Sequence, residues 1–177
     1  MNRMRVAMVL CGALMCSGMG MAQAKSAHDK MFLKAASEGG LAEVKLGELA
    51  SQKGNSEDVK NFGKQMVTDH SKLNEDMKPL VVKYGLTPPD RLNAKDQAEW
   101  NKLDRMQGEA FDKEYISYMK TDHHKDLADF RAEAKSTKDD ELKGAVEKGT
   151  GVIEHHTMMV DELAQKMGVR GSVPKKS

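Results

Sequence analysis

The sequence predicts an all-α protein built as a bundle of four long helices. Its composition favours helix, because Ala, Lys, Glu, Leu and Met are abundant and aromatic residues make up only 5% of the 177 positions. No run of β-branched residues alternates with polar ones, as a half-exposed strand would require. Apolar residues instead recur at steps of three and four along four separate segments, which is the spacing of one helix face.

The first two long helices are predicted to form a hairpin. The first covers about residues 29–52 and stops near Gly54, which favours a helix end. Ser56 can cap the second helix, because its hydroxyl oxygen can accept a hydrogen bond from a free backbone N–H. This second helix continues to about Tyr84 and ends at Gly85.

A long connector at residues 86–107 separates this hairpin from a second one, and it contains a short helix through Trp100. The third long helix covers about residues 109–134, and the fourth covers about residues 139–167 before Gly168. Two helical hairpins joined by a long crossover form a ferritin-like four-helix bundle. We therefore predict that fold, with the short helix inside the crossover.

The N-terminus has the three parts of a secretory signal. Arg3 and Arg5 precede an apolar stretch at residues 6–21, and small residues occupy the outer positions of Ala22-Gln23-Ala24. We therefore predict a cleavable signal peptide at residues 1–24, cut after Ala24, and a periplasmic or otherwise exported protein. An uncleaved membrane anchor is the alternative, although the apolar stretch is marginal for a bilayer core of roughly 30 Å.

The rest of the chain is predicted to be one domain at residues 25–168 with a flexible tail at residues 169–177. Both cysteines, Cys11 and Cys16, fall within the predicted signal, so the exported chain has no thiolate for catalysis, disulfides or metal binding. The charge is nearly balanced, with 28 basic and 27 acidic residues. Without a basic cluster, we expect no nucleic-acid partner. We also expect no transmembrane segment after the signal, and the sequence indicates no particular protein partner.

Each long helix places one titratable residue in its apolar stripe, and these residues are Glu43, His70, His123 and His156. Such groups are rarely buried without a partner. If the crossover returns the chain to the end where the second helix begins, all four lie at one level of the bundle. Three imidazoles and a carboxylate suit a divalent metal ion. We therefore predict these four residues as ligands of a divalent metal whose identity the sequence does not give.

Imidazole ligands need an acceptor for their second ring nitrogen. The residues that we predict to support the metal ligands in this way are Asp69, Asp112 and Tyr115. Thioethers near the histidines would suit Cu(I), although methionine in a helix is more often core filler; these methionines are Met119, Met158 and Met159.

Two functions remain open on these observations. The first is an exported protein that binds a metal ion or a stress-related ligand in its core. The second is a non-enzymatic envelope protein in which the buried Glu and His groups only set the packing register. A redox enzyme is disfavoured, because Val67 and Ile153 stand where a diiron protein has the glutamates of its Glu-x-x-His pairs. We predict no catalytic residues.

The pattern resembles a bacterial family of exported ferritin-like proteins, the domain of unknown function 4142. The resemblance rests on Phe32-Leu33, Gly39-Gly40, Glu43, Leu46-Gly47, Asp69-His70, Phe111-Asp112, Tyr115, Met119, His123 and His156. One departure is Thr150-Gly151, where the family usually has Leu-Pro before the last histidine. The resemblance implies the fold and export, and it implies no particular activity.

Overall fold

The computed structural model of the protein describes residues 26–169, which form five α-helices. These are α1 (Ala27–Lys53), α2 (Glu57–Lys83), α3 (Ala94–Asp104), α4 (Gly108–Ser136) and α5 (Asp140–Lys166). The described residues contain no strand, and the predicted all-α class is confirmed. The predicted signal peptide and nearly all of the predicted tail lie outside the described residues.

Side-chain caps determine where the first two helices begin. The Ser26 hydroxyl oxygen accepts a hydrogen bond of 2.9 Å from the backbone N–H of Asp29. This cap starts α1 at Ala27, slightly before the predicted start at Asp29. Ser56 caps α2 as predicted, and its hydroxyl oxygen accepts from the backbone N–H of Val59 at 3.3 Å.

One end of the bundle is marked by a contact between α4 and the turn that joins α1 to α2. Asp112, near the start of α4, accepts hydrogen bonds from the backbone N–H groups of Asn55 at 2.7 Å and Ser56 at 2.8 Å. A carboxylate is a strong acceptor for such free N–H groups at a helix start. The beginning of α4 is therefore held beside the α1–α2 turn.

The opposite end is marked by Tyr84, which follows the last residue of α2. Its hydroxyl lies 3.2 Å from a carboxylate oxygen of Asp29, near the start of α1, and 3.0 Å from one of Asp139, which caps α5. The segment from residue 85 to residue 107 thus leaves the bundle at one end and re-enters it at the other. The short helix α3 lies along this path and contacts α1 and α4.

α1 and α2 approach each other closely at two glycines. A Cβ added at Gly63 would lie 2.8 Å from both the carbonyl oxygen of Gly47 and the backbone nitrogen of Ser51. A Cβ added at Gly47 would lie 2.9 Å from the carbonyl oxygen of Gly63. Backbone atoms cannot rotate away as a flexible side chain can, so this crossing requires glycine on both helices.

The glycine crossing gives a prediction for two matched substitutions. Alanine is the better helix former, but Gly63→Ala should destabilise the protein by roughly 1–3 kcal/mol, because the added methyl group overpacks the crossing. Gly151→Ala is the control, since Gly151 is an exposed residue of α5 with no atom near its would-be Cβ. It should stabilise the protein by about 0.5–1 kcal/mol.

Urea unfolding of the two variants measures both changes. Equal stabilisation by Gly63→Ala and Gly151→Ala would contradict the close approach of α1 and α2.

The interior contains two apolar clusters with a polar layer between them. The cluster toward the α1–α2 turn includes Leu46, Phe62, Met66, Tyr115 and Val160. The cluster toward the opposite end includes Leu33, Leu73, Leu127, Phe130 and Ile153. Between the two clusters, each long helix contributes one buried titratable residue, and these are Glu43, His70, His123 and His156.

Candidate metal centre

The four residues of this polar layer meet inside the bundle. Their exposed fractions are 3% for Glu43, 1% for His70 and 0% for both His123 and His156. One ring nitrogen from each histidine lies within 4.8 Å of the others. Glu43 approaches two of the rings, with Oε2 2.8 Å from His70 Nδ1 and Oε1 3.5 Å from His123 Nε2.

The hydrogen bonds of His156 fix which of its nitrogens carries the proton. Nε2 lies 2.8 Å from Oδ2 of Asp69, which also accepts from Gln65 Nε2 at 2.7 Å. Burial acts to raise the pKa of Asp69, but the hydrogen bonds from Gln65 and His156 outweigh it and lower that pKa. An ionised carboxylate can only accept, so His156 donates through Nε2. Its Nδ1 therefore keeps a lone pair.

His123 is held in the same manner by its own helix. Its Nδ1 lies 3.1 Å from the backbone carbonyl oxygen of Met119. A carbonyl oxygen only accepts, so Nδ1 donates and Nε2 carries the lone pair. This Nε2 is buried and has no hydrogen-bond partner. Burial, and then the neighbouring rings of His70 and His156, lower the pKa of His123 and keep it neutral.

His70 lies between His156 and Glu43. Its Nε2 is 3.0 Å from His156 Nδ1 and must donate there, because Nδ1 of His156 has only a lone pair to offer. The other nitrogen of His70, Nδ1, is close to Glu43 Oε2 but makes no hydrogen bond of acceptable direction. Burial lowers the pKa of His70 to about 4, so the ring is neutral.

The Glu43 carboxyl is in an unfavourable place for a negative charge. Burial raises its pKa well above the usual value, and the nearby charges of Asp126 and Asp96 raise it further. Its Oε1 has no hydrogen-bond partner. Three buried polar atoms without partners thus lie together, namely Glu43 Oε1, His70 Nδ1 and His123 Nε2. Buried polar atoms are normally paired, and a bound cation would resolve this cluster.

The three predicted supporting residues have different surroundings. Asp69 lies against His156, as described above. The expectation for Asp112 is wrong, because its carboxylate binds the α1–α2 turn, and it precedes His123 by three helical turns, roughly 16 Å. The hydroxyl of Tyr115 is buried without a partner, and burial followed by the charge of Glu43 raises its pKa.

Two carboxylates beside the centre were not among the predicted site residues. Donor atoms of Asp122, Glu43 and His123 lie within 4.8 Å of one another. Burial raises the pKa of Asp122, and the charges of Glu43 and Asp126 add to this. The sequence does hold a signal for them, because Asp122 and Asp126 are one helical turn apart and flank His123. The prediction rested on the apolar stripe of α4 alone, and these two residues lie beside that stripe.

The remaining histidines and methionines considered from the sequence lie elsewhere. His124 is exposed and its Nε2 is 3.0 Å from Asp161, and His155 is also exposed. Met158 is 61% exposed. Met159 is only partly buried and packs against the apolar cluster near the α1–α2 turn. Two of the three methionines considered for Cu(I) therefore lie outside the buried polar layer, and the third, Met119, is fully buried in that same apolar cluster.

Comparison with known proteins identifies the family. Residues 15–163 match the domain of unknown function DUF4142. The chain belongs to this family. Members of another family, DUF305, share the fold. A DUF305 fragment from Deinococcus radiodurans superposes with a TM-score of 0.66 at 10% identity, covering 81% of this chain and 97% of that one.

A DUF305 protein from Streptomyces coelicolor, described as a presumed secreted protein, superposes on this DUF4142 chain with the same TM-score of 0.66. It has 15% identity, and the match covers 82% of this chain and 97% of that one. Identities this low establish the fold alone. No curated protein matches the sequence. Among residues 26–169, none of the helices combines the length and apolar character needed to cross a membrane.

The buried histidines give a prediction for the pH dependence of stability. Burial lowers the pKa of His156 from 6.5 to about 4. Between those values the unfolded chain binds a proton at this residue and the folded chain does not, so the stability it supports is lost as pH falls. His156→Gln removes this titration. The stability of the wild type relative to that variant should fall by roughly 1–2 kcal/mol from pH 7 to pH 5.

Urea unfolding at several pH values, with a chelator present, measures this difference. If the free energies of unfolding of the two proteins stayed parallel over that range, His156 would not be buried as a neutral ring.

Proposed function

We propose that this protein is an exported, non-enzymatic helical bundle that holds one divalent transition-metal ion in its core. The ligands in this proposal are His70, His123 and His156, and Glu43 is the carboxylate beside them. In this proposal the role of the protein is to hold or sequester such an ion in the cell envelope, including under stress.

The observation that carries the proposal is that two of the three rings have a protein acceptor for their outer nitrogen, and that the third ring has a carboxylate oxygen beside it. Asp69 receives Nε2–H of His156, and the carbonyl oxygen of Met119 receives Nδ1–H of His123. His70 Nδ1 lies 2.8 Å from Glu43 Oε2 without the direction of a hydrogen bond, and it would donate there once the Nε2 lone pair binds the ion. Such an outer acceptor orients an imidazole ligand and raises its basicity.

The donor set favours one class of metal. Imidazole nitrogens suit Zn, Cu, Fe and Ni, whereas Ca²⁺ and Mg²⁺ prefer oxygen ligands throughout. A buried carboxylate beside three neutral rings also balances part of the charge of a divalent ion. Zinc is the reference metal for the proposal because it is commonly bound by a few histidines and a carboxylate.

Export is supported by two features. The N-terminal residues have the charged, apolar and small-residue pattern of a secretory signal. One structural neighbour is also described as a presumed secreted protein. We propose the periplasm as the location and Ala24 as the last residue of the signal.

A structural polar layer is the second candidate function. It is favoured by the direct contact between His70 Nε2 and His156 Nδ1 at 3.0 Å, which connects Asp69 to the centre without any metal. A chain of buried hydrogen bonds of this kind can fix the relative heights of packed helices. It leaves Glu43 Oε1, His70 Nδ1 and His123 Nε2 without partners, which is why we favour the metal.

Metal analysis of the protein expressed from the full sequence, without a metal-binding tag, tests the proposal. After removal of metal and incubation with zinc, we expect close to one equivalent of zinc per chain and a raised melting temperature, because a ligand that binds only the folded state stabilises it. His123→Ala and His156→Ala should each lose the bound zinc. His155→Ala is the matched control, since it removes an exposed neighbouring ring, and it should retain the zinc.

Circular dichroism of each variant shows whether it remains helical. A protein that holds no metal and whose melting temperature ignores added Zn, Cu, Mn and Fe would leave the structural layer as the better account. Loss of zinc from His155→Ala to the same degree as from His156→Ala would show that the buried rings are not the ligands.

A further inference from the structure

A pocket of about 150 Å³ lies between α1, α3 and α4, beside the candidate metal centre. Five carboxylates and two lysines line it, and these are Glu38, Asp96, Asp122, Asp126, Asp129, Lys95 and Lys125. The acidic groups therefore outnumber the basic ones. A pocket lined mainly by one sign of charge concentrates counter-ions near its walls.

The carboxylates of this pocket are graded in depth. The Asp129 side chain is 54% exposed, that of Asp126 is 17% exposed and that of Glu43, beyond them, is 4% exposed. Asp122 belongs both to the lining of the pocket and to the group it forms with Glu43 and His123. Carboxylates thus lie at several depths between the surface and the buried rings.

Two buried atoms at the inner end of this set have no hydrogen-bond partner. They are Glu43 Oε1 and His123 Nε2, 3.5 Å apart. Both residues are more than nine-tenths buried, and their donor atoms form a group with Asp122. The inner end of the pocket therefore has the donors for a cation: two carboxylates and one imidazole.

This outer group shares His123 with the three-histidine centre. His123 has a single free nitrogen, because Nδ1 is bonded to the carbonyl oxygen of Met119. One lone pair cannot serve two ions at once. The two groups therefore cannot each hold an ion at the same time.

We propose that the acidic pocket is the entrance through which a divalent cation reaches the three-histidine centre, and that Glu43 and Asp122 hold the ion beside His123 before it passes inward. This inference rests on the proposed function. The lysines of the pocket have partners of their own, because Lys125 pairs with Asp129 at 2.7 Å and with Asp126 at 3.4 Å, and Lys95 lies over the ring of Tyr118.

Loading kinetics test this entrance. The metal-free protein, expressed from the full sequence, is mixed with Co(II), and the visible absorbance of the bound ion is followed by stopped flow. Asp122→Asn should load roughly tenfold more slowly at low ionic strength, since a neutral amide replaces the carboxyl group that can ionise to hold the ion beside His123. It should still bind one ion per chain, and the release of that ion to excess chelator should be no faster than in the wild type.

Asp76→Asn is the control, because it removes one negative charge from an exposed ion-paired site on α2, away from the pocket. It should load at the rate of the wild type. Asp126→Asn is a second variant. It should also load more slowly than the wild type, and its loading rate should depend less on salt concentration.

The outcomes separate the two proposals. Wild-type loading rates in Asp122→Asn and Asp126→Asn, with one ion still bound, would overturn the entrance and leave the metal centre intact. Faster ion release from Asp122→Asn would make Asp122 an ordinary ligand of the final site, and two ions per chain would contradict successive occupancy. A wild-type protein that takes up no Co(II) would overturn both proposals.

Discussion

The structure depends on a single polar layer that crosses an otherwise apolar core. Glu43, His70, His123 and His156 each come from a different long helix, and all four are almost fully buried. Buried polar groups are costly unless they reach partners. Each helix must therefore sit at the height that brings its residue to the layer, and sliding one helix by a turn would strand its polar group among apolar side chains. The two apolar clusters fill the space on either side.

Helix positions and the polar layer could be predicted from local sequence patterns. A three- and four-residue apolar spacing marks a buried face wherever it occurs. Glu43 and His70 stand out within such a face, because a titratable group buried there is costly unless it has a partner. The role of Asp112 could not be predicted in this way. Its partners, Asn55 and Ser56, are distant in sequence, and only the folded crossover brings them together. Asp122 was not predicted as a site residue because it lies beside the apolar stripe of α4 and not within it.

The metal centre and the metal-free structural layer differ in which atoms of Glu43 and His70 carry protons. Without a cation, Glu43 favours its protonated form because burial raises its pKa, and three polar atoms remain unpaired. If the proposed cation were held by the three imidazoles, His70 would carry its proton on Nδ1, beside Glu43, and the Glu43 carboxylate could ionise. Each outer acceptor then has a donor. The site contains no arginine or lysine, and acidic residues surround it. The negative charges of those residues favour a cation at its centre.

The most direct test is ¹⁵N NMR of the histidine rings in the metal-free and the zinc-loaded protein, since the ring nitrogen shifts report which nitrogen carries the proton. We expect His123 to be protonated at Nδ1 and His156 at Nε2 in both states. His70 should change from Nε2–H to Nδ1–H when zinc binds. Unchanged ring shifts of His70, His123 and His156 in the presence of excess zinc would contradict the metal centre.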